Sequence, residues 1–260
     1  MIKAAFFDID GTLVSLKTKV YPPSTKVAIE ALRKKGILCF IATGRSKFEM
    51  ASERLLDGLV FDGYLTNNGQ DAYDASGKLI YGKPLDQEEV RALYHWAEET
   101  KTACWLVSAE ESRINLINDR VMTAMVAIHT QPPVCGDLRP MLEKPVYKVV
   151  LFLPREEMDE PMRLVPRSRK TQWFALGHDL ISMDGGKKNA MLEILEKLGI
   201  TAGEAIAFGD SENDLEMLEA AGIGVAMGNG TDACKRIADY VTDDCDDDGI
   251  LHALEHFGIL

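Results

Sequence analysis

The sequence predicts an α/β fold, a parallel sheet covered by helices on both faces and interrupted by a separate α+β lobe. Three observations carry this. Apolar, strand-like runs alternate with amphipathic helical stretches through the first third of the chain. The same alternation returns in the last quarter. The middle, roughly residues 82–183, holds helix and strand pieces without that regular pattern. Strands alternating with helices pack as a parallel sheet buried on both sides. The 260 residues are enough for a sizeable core and two lobes.

Residues 3–7 read as the first strand. A helix follows over 24–35: Pro22 and Pro23 precede it, Ser24 is placed to cap it, and Val27, Ala28, Ala31 and Leu32 form an apolar stripe. Gly36 ends it. Residues 37–42 are a second buried strand, closed by Thr43-Gly44-Arg45, and 46–56 are a second helix. A third strand begins at Gly63 and runs into Asn67-Asn68-Gly69-Gln70. Asp74-Ala75-Ser76-Gly77 is a hairpin turn between strands at 71–73 and 79–81. In the middle, 85–100 is helical, with Val90, Leu93 and Trp96 at helix spacing, and 102–107 and 146–153 are strands in a proline-punctuated stretch. Toward the end, 188–198 is a helix, 205–208 a strand running into Gly209-Asp210, and 213–221 a helix. A short strand at 224–227, the Gly228-Asn229-Gly230 turn and a helix from Thr231 complete the pattern.

Composition narrows the function. A formal net charge of -12 argues against nucleic acid as the main partner, because phosphate backbones select cationic surfaces. The five cysteines have no CxxC or zinc-ligand spacing and read as reduced, mostly packing thiols. The chain opens on a strand rather than a basic-then-apolar leader, and no apolar run approaches a membrane span. The expectation is a cytoplasmic protein without membrane contact.

In doubly wound sheets functional groups gather at the carboxyl ends of the strands. Asp8 and Asp10 follow the first strand and start on the same side of it. Two such anions repel unless a cation or a shared proton lies between them. The second strand delivers Thr43-Gly44-Arg45, and a later one Gly209-Asp210 with Asn213 and Asp214 beyond; Lys187 stands just before a helix. Carboxylates, a hydroxyl and an ammonium suit phosphoryl transfer. Mg²⁺ takes a few carboxylates plus phosphate oxygens and waters, and a carboxylate can attack phosphorus. A hydroxyl and a lysine can hold the equatorial oxygens, while a second carboxylate moves the proton.

Asp8-Ile9-Asp10-Gly11-Thr12-Leu13 resembles the first motif of the haloacid dehalogenase superfamily. Thr43-Gly44-Arg45, Lys187, and the stretch from Gly209 to Asp214 resemble its second, third and fourth. Their order and spacing are similar to the Cof-type phosphatases, which carry a large cap of the C2B type between the second and third motifs. Asn67-Asn68-Gly69, the stretch from Gly224 to Asn229, and Asp247-Asp248-Gly249-Ile250 resemble the same subgroup. The resemblance implies a Rossmann-like core at 1–81 plus 184–260, with an inserted α+β cap domain at 82–183. It implies a Mg²⁺-dependent phosphatase acting on a small phosphomonoester such as a sugar phosphate. Asp8 becomes the nucleophile that forms an aspartyl-phosphate. Asp10 becomes the general acid and base and gives its backbone carbonyl to the metal. Asp8, Asp10 and Asp210 make the metal set. Thr43 and Gly44, with Lys187, hold the phosphoryl group, and Asn213 positions phosphate or a water on the metal. Asp214 orients Lys187 or supports the metal from behind.

One departure stands out: the family commonly has Gly after the third-motif lysine, and this chain has Lys188. The Lys-x-x-Ala-Met pattern favours Lys187 as the lysine that reaches phosphate. Two other readings share these residues: a phosphomutase or phosphotransferase with the same nucleophile, and a non-catalytic phosphate- or metal-binding protein. Several further groups read as structural. Arg45 is expected in a surface ion pair, Glu212 in solvent, and Asn67 and Asn68 as turn formers near the cleft. Residues 243–248 are expected to form a surface turn. Trp105, His129, Trp173 and His178 read as packing or surface groups before substrate contacts, and His95 as structural.

Overall fold

The computed structural model describes residues 1–128 and 130–260, with backbone alone at Ser52 and Glu53. It divides into two compact units, one of Met1–Tyr81 with Gly186–Leu260 and one of Gly82–Gly185. The first unit starts with β1 (Ala4–Phe7), α1 (Pro23–Lys34), β2 (Leu38–Ala42), α2 (Lys47–Glu53), β3 (Gly63–Thr66), β4 (Asp71–Asp74) and β5 (Leu79–Gly82). The second unit contains α3 (Gln87–Thr100), β6 (Cys104–Ser108), β7 (Ser112–Ile114), α4 (Asp119–Ala127), β8 (Val146–Leu151), α5 (Asp159–Leu164), β9 (Ser168–Phe174) and β10 (Gly177–Ser182). The chain then completes the first unit with α6 (Lys187–Leu198), β11 (Ala205–Gly209), α7 (Leu215–Ala220), β12 (Ile223–Ala226), α8 (Asp232–Ile237), β13 (Tyr240–Val241) and α9 (Gly249–His256).

The sheet of the first unit runs β13-β12-β11-β1-β2-β3-β4-β5. From β13 to β3 neighbours pair in parallel; β4 turns antiparallel to β3. The period-two alternation of β1 sends its residues to opposite cores. Ala5 and Phe7 pack with Ala28, Ile29 and Leu32 of α1 and Ile250, Ala253 and Leu254 of α9. Ala4 and Phe6 pack with Ala190, Met191 and Ile194 of α6 and Met217 and Leu218 of α7. Phe7 stacks on Phe208 and Phe6 on Phe40, both at 5.0 Å between centroids. The sheet is therefore covered on both faces, as the α/β pattern predicts. Phe7 and Phe6 each bury enough apolar surface to stabilise by ~2 kcal/mol.

The second unit is built on an antiparallel sheet ordered β7-β6-β8-β10-β9. One face carries Cys104, Leu106, Val149, Leu151 and Leu180 against Val90, Leu93 and Ala97 of α3. Asp86 caps α3 by accepting from the amides of Glu88 at 3.0 Å and Glu89 at 3.2 Å.

Three local expectations need correction. Helix α1 starts at Pro23, one residue before the expected cap Ser24, with Pro22 at the N-cap position and no side-chain capping bond. Proline at the first helical position is pre-organised for the turn and gives up an amide that has no partner there anyway. Helix α2 ends at Glu53 rather than residue 56, because Arg54 takes a left-handed backbone at φ 54°. Its start is a capping box between Ser46 and Glu49. The helix expected from Asn213 begins as a 3-10 turn over Glu212–Asp214 and becomes α-helical only at Leu215. Residues 243–248 form a turn, with Asp246 3.1 Å from Lys17 and Asp243 2.7 Å from His252.

Candidate active site

Parallel pairing places the carboxyl ends of β11, β1 and β2 side by side. Their ladders continue past the strands. The Asp8 amide donates to the Phe208 carbonyl at 3.1 Å, and the Thr43 amide to the Leu65 carbonyl at 2.8 Å. Asp8 and Thr43 thus leave the sheet on a hydrogen-bonded backbone.

Asp8, Lys187 and Asp214 form a buried centre. Lys187 opens α6, and its Nζ stands 2.6 Å from Asp8 Oδ1 and 2.6 Å from Asp214 Oδ1. Their exposures are 4%, 2% and 0%. The other Asp214 oxygen accepts from the amides of Asp210 and Ser211, both at 3.1 Å. Those bonds tighten the backbone into the 3-10 turn that delays α7. Asp210 is buried beside them, with the Thr12 hydroxyl 3.4 Å from its Oδ1. Lys188 is only half-buried, so the lysine of this centre is Lys187.

Charge crowding perturbs the centre. Burial pushes Asp8 well above the usual carboxylate range; Lys187 opposes that shift, and Asp214, Asp210 and Asp10 add to it. Burial, then the charge of Asp214, pushes Asp210 up to about 7 against the pull of Lys187 and the Thr12 hydroxyl. For Lys187, burial works toward deprotonation, but Asp214 and Asp8 outweigh it and hold the ammonium form. Among the described residues, Asp8, Asp210 and Asp214 offer carboxylate oxygens within 4.8 Å of one another. With all three ionised, the carboxylates against one ammonium leave two negative charges, which a divalent cation with a preference for oxygen balances. The donor set fits such an ion.

Asp10 pairs with Arg45 at the edge of this centre. Arg45 Nε donates to its Oδ2 at 2.7 Å and Nη2 to its Oδ1 at 2.8 Å, a bidentate pair at the partly exposed rim. Between Asp8 and Thr12, Gly11 has φ 89°, and a Cβ there would stand 2.5 Å from Asp210 Oδ2. Only glycine lets this turn and the Asp210 carboxylate share the space. The Gly11 carbonyl accepts from Asn229 Nδ2 at 2.8 Å, and Asn229 Oδ1 accepts from the Cys245 amide at 2.8 Å.

The Thr43 hydroxyl is buried and accepts from the Arg45 amide at 3.1 Å. Gly44 lies under Asn68, whose Oδ1 accepts from Asn213 Nδ2 at 2.8 Å. Ser211 Oγ donates to Asn213 Oδ1 at 2.6 Å, so the Asn213 carboxamide bridges the β11 loop to Asn68. Sequence reasoning gave no chemical role to Arg45, Asn68 or Asn229. The signals were present but weak: Arg45 directly follows a strand-end Thr-Gly, and Asn68 and Asn229 each neighbour a glycine. In the second unit, Trp105 and His178 are buried, and Trp173 donates its indole N–H to Asp179 Oδ1 at 2.8 Å. His129 lies outside the described residues.

A parallel sheet with carboxylates, a hydroxyl and a buried lysine at its strand ends suits phosphoryl transfer. The chain belongs to the haloacid dehalogenase-like hydrolase family, which matches residues 5–254, and it is an enzyme of that family's phosphatase class. A putative phosphatase of Bacillus subtilis (strain 168), YkrA, is 32% identical over 260 residues, covering 99% of this chain and 98% of YkrA. The phosphatase BT1666 from Bacteroides thetaiotaomicron superposes with a TM-score of 0.90 at 30% identity, covering 100% of this chain and 96% of that one. The sugar phosphatase BT4131, of subclass IIB, superposes with a TM-score of 0.84 at 35% identity, covering 99% of this chain and 100% of that one.

Proposed function

We propose that the protein is a Mg²⁺-dependent phosphatase that hydrolyses a small phosphomonoester, of the sugar phosphate class, through an aspartyl-phosphate on Asp8. The observation that carries this reading is the Lys187 ammonium bound between Asp8 and Asp214. With Oδ1 of Asp8 held by Lys187, Oδ2 is the oxygen that attacks phosphorus. Similarity to the sugar phosphatase BT4131 supports the substrate class.

The ester oxygen leaves with a proton from Asp10, and the phosphoryl group stays on Asp8. Water then gives its proton back to Asp10 and attacks phosphorus, which releases inorganic phosphate and restores the Asp8 carboxylate. Arg45 orients the Asp10 carboxyl group through its two hydrogen bonds. Thr43, the Gly44 amide and Lys187 bind the phosphoryl oxygens, and Asn213 orients that group. Asp8, Asp210 and the main-chain carbonyl of Asp10 would hold Mg²⁺, with Asp214 supporting from behind; the ion supplies charge neutralisation for phosphate beside three carboxylates. The second unit acts as the cap that excludes water and selects the alcohol. A phosphate-release screen over sugar phosphates, nucleotides and cofactor phosphates, with and without Mg²⁺, tests this. Release that depends on Mg²⁺ and peaks on sugar phosphates is expected; no release from any ester would refute it.

A further inference from the structure

The loop between β3 and β4 links three parts of the active-site floor. Asn67, Asn68 and Gly69 all have left-handed backbones, at φ 51°, 57° and 75°. Asparagine tolerates this region, but a consecutive run persists only where its surroundings fix it. The Asn67 amide donates to the Arg45 carbonyl and the Asn68 amide to the Thr43 carbonyl, both at 2.9 Å. Asn68 Oδ1 accepts from Asn213 at 2.8 Å. Gly69 lies so close to the start of α6 that a Cβ would collide with the Gly186 carbonyl. One short loop therefore meets the segment after β2, the helix that carries Lys187, and the loop after β11.

Its anchor is Asp71, the first residue of β4 and fully buried. The carboxylate oxygens lie 3.0 and 3.1 Å from Asn67 Nδ2. They also accept from Tyr73 OH at 2.8 Å and from the Thr66 hydroxyl. A turn needs no such buried acceptor; a carboxylate that grips the side chain of the first left-handed residue fixes where the next two lie.

We infer that Asp71 is a positioning residue for phosphate binding. By holding Asn67, it sets the place of Thr43 and Gly44 relative to Lys187. This rests on the phosphatase reading, and the test separates the two. Asn67→Gly keeps a left-handed backbone accessible and removes the side-chain tie to Asp71. In that variant the inhibition constant for inorganic phosphate and the KM rise together by about tenfold, as loss of uniform binding requires. Amide exchange at positions 67 and 68 quickens by about tenfold or more, a readout that needs no turnover. The paired variant Asn67→Asp with Asp71→Asn reverses donor and acceptor and returns the phosphate inhibition constant to within about threefold of wild type. Unchanged phosphate inhibition and exchange in Asn67→Gly, or failure of the pair to restore binding, overturns the inference. Should Asn67→Gly not fold, Asp71→Asn alone decides it: about a threefold or greater weakening of phosphate inhibition supports the inference, and none overturns it. A wild type that releases no phosphate refutes the functional reading, while exchange still decides whether Asp71 anchors the loop.

Discussion

At the residue scale the buried centre is an electrostatic balance held by one lysine. Asp8 and Asp214 both lean on the Lys187 ammonium at 2.6 Å. Lys187→Met leaves two buried carboxylates without their counter-charge, which costs about 3–5 kcal/mol. Urea denaturation in EDTA checks this; a loss below about 1 kcal/mol would mean the carboxylates are satisfied without the lysine. The raised Asp210 gives a pH test. Its folded pKa of about 7 lies above the unfolded value of 3.8. The stability it contributes is present below the unfolded pKa and is lost as pH rises through the folded one. In EDTA the protein therefore carries the cost of the ionised group at pH 8 and sheds part of it at pH 6. On the proposed assignment of Mg²⁺ to Asp210, the ion competes with that proton, and its apparent affinity falls by up to about tenfold per pH unit well below 7 for each proton displaced. Thermal melts with and without Mg²⁺ at the two pH values should show the larger Mg²⁺-induced rise in Tm at pH 8. An equal rise at both would remove Asp210 from the metal's coupling.

At the element scale, capping explains most differences between expected and observed boundaries. The start of α8 was legible within a short stretch: a helix is expected from Thr231, and Thr231 is its N-cap, accepting from the Cys234 amide. The delay of α7 comes from a local capping box, in which Asp214 turns back onto the amides of Asp210 and Ser211. What was not legible is the distant partner, Lys187, which takes the other Asp214 oxygen. No pattern within residues 213–221 announces the lysine. In the second unit β9 reads Ser-Arg-Lys-Thr-Gln-Trp-Phe, mostly half-buried at one edge of its sheet with polar residues on both faces, so it lacks the apolar alternation that marks a strand. Strand β10 carries Gly, His and Asp ahead of its apolar residues. Helix α3, by contrast, shows its stripe, although its cap, Asp86, falls inside the helix expected from residue 85. Asp86→Ala should cost about 1 kcal/mol, with Asp86→Asn costing less because it keeps the capping oxygen. Urea titration of the two variants checks the order; equal losses would assign the effect to the Arg167 ion pair instead.

At the scale of the whole molecule, the α/β core was legible because β1 writes both its faces in four residues. Asp8, Thr43 and Asp210 were legible as strand-end groups for the same reason, since each follows an apolar run. Contacts between distant loops were not. Asn68 meets Asn213 across 145 residues, and Arg45 meets Asp10 across 35, with no local periodicity to signal either. The central claim is that Asp8 itself carries the phosphoryl group. Borohydride trapping during turnover of p-nitrophenyl phosphate with Mg²⁺, followed by peptide mass spectrometry, tests it most directly. Reductive modification is expected at position 8, dependent on Mg²⁺ and absent from Asp8→Asn. Full turnover with modification at another carboxylate, or Asp8→Asn turning over like the wild type, would contradict it.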